Sequence, residues 1–170
     1  MPEEFSDSRR KFLGFAIGGI AGAIALGYAI PLVNYLVDPS LTRTEEPFSP
    51  VGSVDSIQPD QPTEMTFMSS EKIGWEERKV ERDVWVVKKP DGSVTVFSPI
   101  CPHLGCAYNW HPAKKEFICP CHGSVFSING RVLAGPAPRP LDTLPYKMES
   151  GILYVKYEKF KIGIPQKELA

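Results

Sequence analysis

The sequence predicts an all-β protein, an antiparallel head carrying an inserted cysteine- and histidine-bearing subdomain at about 98–141, behind one N-terminal transmembrane helix. Three observations predict it. Residues Phe12 to Val37 form a run of 26 without a charge. Seventeen prolines and 14 glycines lie outside any repeat, a composition that suits turn-rich sheet structure. All four cysteines and all three histidines fall between Cys101 and His122.

The apolar run comes first. At about 1.5 Å of rise per residue it exceeds the roughly 30 Å hydrocarbon core of a bilayer, so it can span with some tilt. Gly18 and Gly22 within it have small-xxx-small spacing, which permits close helix approach in lipid. Arg9, Arg10 and Lys11 precede it and hold that end in the cytoplasm by the positive-inside rule. The stretch SRRKFL, Ser8 to Leu13, also resembles a twin-arginine export signal. That route carries folded proteins and suits a domain that receives a metal before export. Either reading makes a single-pass protein of the cytoplasmic membrane, its N-terminus cytoplasmic and its head on the outer face. Ala21–Ala23 has the small-x-small form of a cleavage site. Cutting there would leave an apolar stub from Ile24 to Val37, so the segment is read as a permanent anchor in the lipid bilayer.

The expected organisation is therefore a leader at 1–11, an anchor at 12–37, a hinge at 38–50, a head at 51–165 and a tail at 166–170. The hinge is polar and carries Pro39, Pro47 and Pro50, a semi-extended composition. In the head, DVWVVKKPDGSVTVF reads as a hairpin closing on PDGS, and SVFSINGRVL as a second closing on Asn129-Gly130. YKMESGILYVKY is a third, with Glu149-Ser150-Gly151 at its tip. No long stretch after the anchor has helical periodicity. A formal net charge of -1 gives no basic balance that would argue for nucleic acid.

The cysteines and histidines fall into spaced pairs. Cys101-x-His103 is one pair and Cys119-x2-His122 the other, with Cys106 and Cys121 left over and Gly105 and Gly123 close by. Three chemistries compete for this set. Tetrahedral zinc takes four such ligands, but a zinc-binding structural module would ordinarily draw its cysteines from one element and its histidines from another. A pure disulfide framework would use four cysteines and no histidine. A binuclear iron–sulfur cluster, with two thiolates on one iron and two imidazoles on the other, takes one cysteine and one histidine from each of two loops. The glycines allow turns that aim backbone N–H groups at a charged centre.

CPHLGC and CPCHGS, with GPAPRPL from Gly135 to Leu141, resemble the two cluster-binding boxes and the proline loop of the Rieske iron–sulfur proteins. With the anchor and leader, the whole resembles the Rieske subunit of a bacterial quinol–cytochrome c reductase of the bc1/b6f type. The resemblance implies one [2Fe-2S] cluster, with Cys101 and Cys119 on the inner iron and His103 and His122 on the outer. It implies a disulfide between Cys106 and Cys121, a hydroxyl donated by Ser124 to a bridging sulfide, and Leu104 on the apolar rim of the quinol site. His122 would touch the quinol and accept its proton. The implied partners are a cytochrome b-type subunit and a c-type cytochrome within a dimeric complex.

One position departs from the family's high-potential members, which carry tyrosine two residues after the serine of HGS; here it is Phe126. Losing a hydrogen bond to a ligand sulfur lowers the potential, which suits menaquinol. Pro102 stands where many relatives have threonine. The small subunit of an arsenite oxidase-type molybdenum enzyme shares leader and head and is the alternative. A ring-hydroxylating oxygenase needs two further histidines for a mononuclear iron; only His111 remains. His111, Trp110, Tyr108 and the lysine pairs Lys88-Lys89 and Lys114-Lys115 are read as loop packing or solvated turns.

Overall fold

The computed structural model describes residues 3–41, 47–73 and 76–170. It falls into two units, residues 1–44 and 45–170. The first is one helix, α1 (Glu3–Leu41). Its apolar side chains, among them Phe15, Ile17, Leu26 and Tyr28, are exposed, and the stretch Asp7–Val37 is long and apolar enough to cross a membrane. The helix runs past both ends of the expected anchor and continues through Pro31. Lys11 pairs with Asp7 at 2.7 Å, one turn apart, before the apolar run begins. Residues 42–46 of the expected hinge lie outside the described residues.

Among the described residues, the second unit is built from ten antiparallel strands in three sheets. β1 (Phe48–Ser53) begins three residues ahead of the expected head boundary and pairs with β10 (Ile152–Lys156). β10 pairs with β9 (Tyr146–Glu149) to complete that sheet. The second sheet joins β2 (Thr63–Ile73), β3 (Glu76–Lys88) and β4 (Val94–Phe97). The third joins β5 (Asn109–His111), β6 (Glu116–Ile118), β7 (Val125–Ser127) and β8 (Val132–Ala134) in order.

β3 explains how the sheets share an interior. Four consecutive residues, Val84 to Val87, are buried, as in a strand covered on both faces. Side chains alternate across a strand, so Val84 and Val86 enter one core with Val54, Phe67, Leu153 and Val155. Trp85 and Val87 enter a second with Phe97, Tyr108, Phe117, Phe126 and the two free cysteines. The second core carries the site.

Turn chemistry is local and specific. Between β3 and β4 the Gly92 amide donates to Lys89 O at 2.9 Å, and the Asp91 carboxylate accepts from Ser93 N at 2.8 Å. Between β9 and β10 the loop is two residues, Ser150 and Gly151, both left-handed at φ 50° and 79°. That is the hairpin geometry whose twist matches the flanking strands. The expected three-residue tip shortens because Glu149 is paired with Ile152.

Candidate metal centre

Two six-residue tips form the site, and they are built alike. The first, Cys101 to Cys106, is closed by a bridge between Ile100 and Ala107. The second, Cys119 to Ser124, is closed by the pairing of Ile118 with Val125. In each tip the first residue donates its N–H to the carbonyl of the sixth: Cys101 to Cys106 at 2.8 Å, Cys119 to Ser124 at 2.9 Å. In each, the fifth residue is a glycine donating back to the first, Gly105 to Cys101 at 3.0 Å and Gly123 to Cys119 at 3.1 Å. Both glycines are left-handed, φ 82° and 70°, a conformation that costs an L side chain about 1–2 kcal/mol.

This geometry sorts the side chains by depth. Cys101 and Cys119 are free thiols, 1% and 2% exposed, among the apolar residues of the second core. His103 is half-buried and His122 exposed, and their rings face each other at a centroid distance of 5.0 Å, nearly perpendicular. Cys106 and Cys121 are joined by a disulfide across the two tips, Cα to Cα 6.6 Å. Burial pushes the Cys101 thiol pKa up, and the neighbouring Cys119 adds to it; the backbone N–H of His103 works the other way.

The donor set fits a binuclear cluster. Among the described residues, the one His, Cys, Asp or Glu group whose donor atoms all lie within 4.8 Å of one another is Cys106, Cys119 and Cys121. Two of those sulfurs are bonded to each other, so the trio is not a single-ion site. What remains is two buried thiols and two less buried imidazoles on the same tips, the donor types of two irons rather than one zinc. Ser124 supports the same fit. It is fully buried, near enough to the Cys101 sulfur to favour its thiolate, yet no partner meets hydrogen-bond geometry with its Oγ. Left so, a buried hydroxyl costs about 1–3 kcal/mol; a cluster sulfide would accept its hydrogen bond.

The proline loop backs the second tip. Gly135 has φ 90°, and a Cβ there would lie 2.5 Å from Ser124 Cα and 2.6 Å from Gly123 O. Leu104 stands 56% exposed on the first tip. Phe126 is fully buried beneath the site, its ring 6.1 Å from that of Tyr108. Tyr108 is a core residue whose hydroxyl donates to Ser98 O at 2.6 Å, and Trp110 packs on Phe117 at 4.9 Å. His111 is exposed at the end of β5, paired with Glu116 rather than with Ile118 at the base of the second tip.

Sequence reasoning missed Arg139 and Asp142, a buried pair in and just after the proline loop. Arginine three residues before aspartate in RPLD was the available signal.

Residues 48–145 match the Rieske [2Fe-2S] domain family, and the chain belongs to that family and carries its [2Fe-2S] cluster. It is 34% identical over 159 residues to the menaquinol:cytochrome c reductase iron-sulfur subunit of Bacillus subtilis, covering 91% of this chain and 94% of that one. It is 32% identical over 153 residues to the subunit of the same name from Geobacillus thermodenitrificans, covering 87% and 90%. Among solved structures, the cyanobacterial plasma membrane Rieske protein from Synechocystis PCC 6803 is 28% identical, with 64% of this chain and 98% of that one covered at a TM-score of 0.44.

Proposed function

We propose that the chain is the membrane-anchored subunit of a menaquinol–cytochrome c reductase, taking one electron from quinol beside a cytochrome b-type subunit and passing it to a c-type haem. One observation carries this reading: two imidazoles, one of them exposed, have ring centroids 5.0 Å apart on the same two tips that carry two buried free thiols. Two relatives that align with 91% and 87% of the chain bear that enzyme's name.

The cluster supplies one-electron chemistry, at a potential that histidine ligation raises. Cys101 and Cys119 hold it from the buried side and His103 and His122 from the surface side. His122, the more exposed imidazole, meets the quinol, accepts its hydrogen bond and takes the proton. Leu104, exposed on the first tip, gives the apolar rim against which the headgroup packs. Phe126 offers no hydroxyl to a ligand sulfur, which keeps the potential low and matched to menaquinol.

The helix anchors the subunit in the cytoplasmic membrane with its N-terminus inside, SRRKFL serves as a twin-arginine signal, and the head works on the outer face of a dimeric complex. The polar segment within 38–50 is the hinge on which the head moves between donor and acceptor; a stiff insertion there that left turnover intact would argue against it.

The test is an EPR-monitored redox titration of the full-length chain in detergent at several pH values. The expected result is a rhombic Rieske signal near the low end of the roughly -150 to +300 mV range, with a midpoint that falls as pH rises. Folded, metal-replete protein with zinc and no iron–sulfur signal would overturn the reading.

A further inference from the structure

We propose that Arg139 is a positioning residue for the His103 side of the centre, acting through residues 160–164, which it holds against the first tip as a third element of the site. The inference rests on the reading of His103 as a cluster ligand.

Arg139 is 5% exposed and Asp142 4%. The guanidinium engages both carboxylate oxygens, through Nε at 3.0 Å and Nη2 at 2.8 Å. Its other hydrogen bonds leave the pair. Nη1 donates to Ile164 O at 2.6 Å and Nη2 to Lys161 O at 2.7 Å. The planar fork thus grips two carbonyls that bracket Ile162 and Gly163, a geometry lysine cannot reproduce.

The gripped residues lie on the first tip. The Gly163 amide donates to Pro102 O at 2.9 Å, and Pro102 stands between Cys101 and His103. A Cβ on Gly163 would lie 3.6 Å from His103 O, and one on Gly105 would lie 3.5 Å from Ile162 Cδ1. The segment is no loose end, and residues 166–170, read from the sequence as a tail, pair with it. Phe160 bridges to Leu169, Lys161 N donates to Glu168 O at 2.9 Å, and Ala170 N to Lys159 O at 2.9 Å. Lys167 Nζ donates to Thr143 O at 2.7 Å.

The two tips need different support. The second springs from the paired strands β6 and β7 and is backed by Gly135. The first is closed by the isolated bridge of Ile100 with Ala107, so its outer backbone depends on what lies against it. A buried ion pair that only fastened the fold would have no need to place two donors on the carbonyls of one segment; apolar residues can replace such pairs without loss. Orienting a ligand's backbone is a role an apolar pair could not fill, and such outer contacts tune a centre by orienting its ligands.

The test compares full-length wild type, Arg139→Gln, a chain ending at Phe160, and the two changes combined, by EPR lineshape, midpoint potential and cluster half-life. Each single change is expected to alter the g-values, shorten the half-life several-fold and shift the reduction equilibrium two- to tenfold, up to about 59 mV for one electron. The combined protein should be no more perturbed than the truncated one, because Arg139 acts through what was removed. Unmoved spectra and midpoint in Arg139→Gln, or effects that add in the combined protein, would overturn the proposal. If Arg139→Gln does not accumulate, Arg139→Lys keeps the buried charge without the fork and should still shift the spectrum; a wild-type spectrum there overturns it. Absence of a Rieske signal in the wild-type chain would instead remove the ligand reading itself.

Discussion

Gly135 approaches Ser124 so closely that a Cβ on the glycine would stand 2.5 Å from the serine's Cα and 2.9 Å from its amide nitrogen. Backbone meets backbone here, so no rotamer change can make room. Gly135→Ala is therefore expected to lift the proline loop from the second tip. Overpacking contributes roughly 1–3 kcal/mol and the left-handed φ about 1–2 more. Thermal unfolding and iron content measure it; an unchanged melting temperature would show that the loop yields freely.

Ser124→Ala separates stability from redox tuning. No protein atom meets hydrogen-bond geometry with the Oγ, so removing it should change the melting temperature little. The midpoint should fall, because a donor toward the reduced cluster is lost. A hydrogen bond to a charged group is worth roughly 1.5–3 kcal/mol, and about 59 mV corresponds to each tenfold change for one electron, so a drop of 60 mV or more is expected. A loss of stability at constant potential would assign the serine to packing.

Phe126→Tyr tests the choice of quinol. The ring is wholly buried in the core that contains Cys101 and Cys119, so an added hydroxyl must bond to sulfur or stay unsatisfied. The potentiometric titration is expected to shift upward by tens of millivolts. No shift would leave menaquinol without its residue-level explanation.

The disulfide joins cysteines 15 residues apart and straps the two tips together. A Cys106→Ser, Cys121→Ser protein should lose about 3 kcal/mol, or on the order of 10 °C in melting temperature for a unit of this size. Calorimetry of the oxidised wild type against this variant provides the measurement, and equal melting temperatures would contradict the strap.

Tyr108 sets an alkaline limit. Burial, with a smaller push from Cys101, raises its pKa well above that of an exposed tyrosine. A folded pKa above the unfolded one means its contribution is full below the unfolded value, about 10, and is lost as pH rises toward the folded value. Stability should fall by about 1.4 kcal/mol per pH unit above 10 from this group. Tyr108→Phe should flatten that part of the curve while losing the bond to Ser98 O, about 1 kcal/mol at neutral pH. An equal alkaline slope in both proteins would point to other groups.

What could be read from the chain follows the range of each interaction. Anchor and hairpins announce themselves within a few residues: an uncharged run, a PDGS or Asn129-Gly130 turn, a regular alternation. The two cysteine–histidine boxes are local as well. The long pairing of β2 with β3 was not legible, since TEMTFMSSEKI mixes polar residues into both faces. Nor was the grip of Arg139 on Lys161 and Ile164. Carbonyl acceptors 22 and 25 residues away leave no side-chain signature, and only the fold brings them near. The near-identical wiring of the tips was half visible, through Gly105 and Gly123, but the matching hydrogen bonds belong to the backbone.

Strand β3 lends alternate side chains to two interiors, Val84 and Val86 to one, Trp85 and Val87 to the other. Neither interior can open without tearing at a wall the other leans on. Sites that must move are usually drawn from the weakly protected parts of a protein; this one is bolted to a strand stretch, Val84 to Val87, that is buried throughout. Amide exchange in the tips and in the sheet behind them should therefore proceed as one cooperative event.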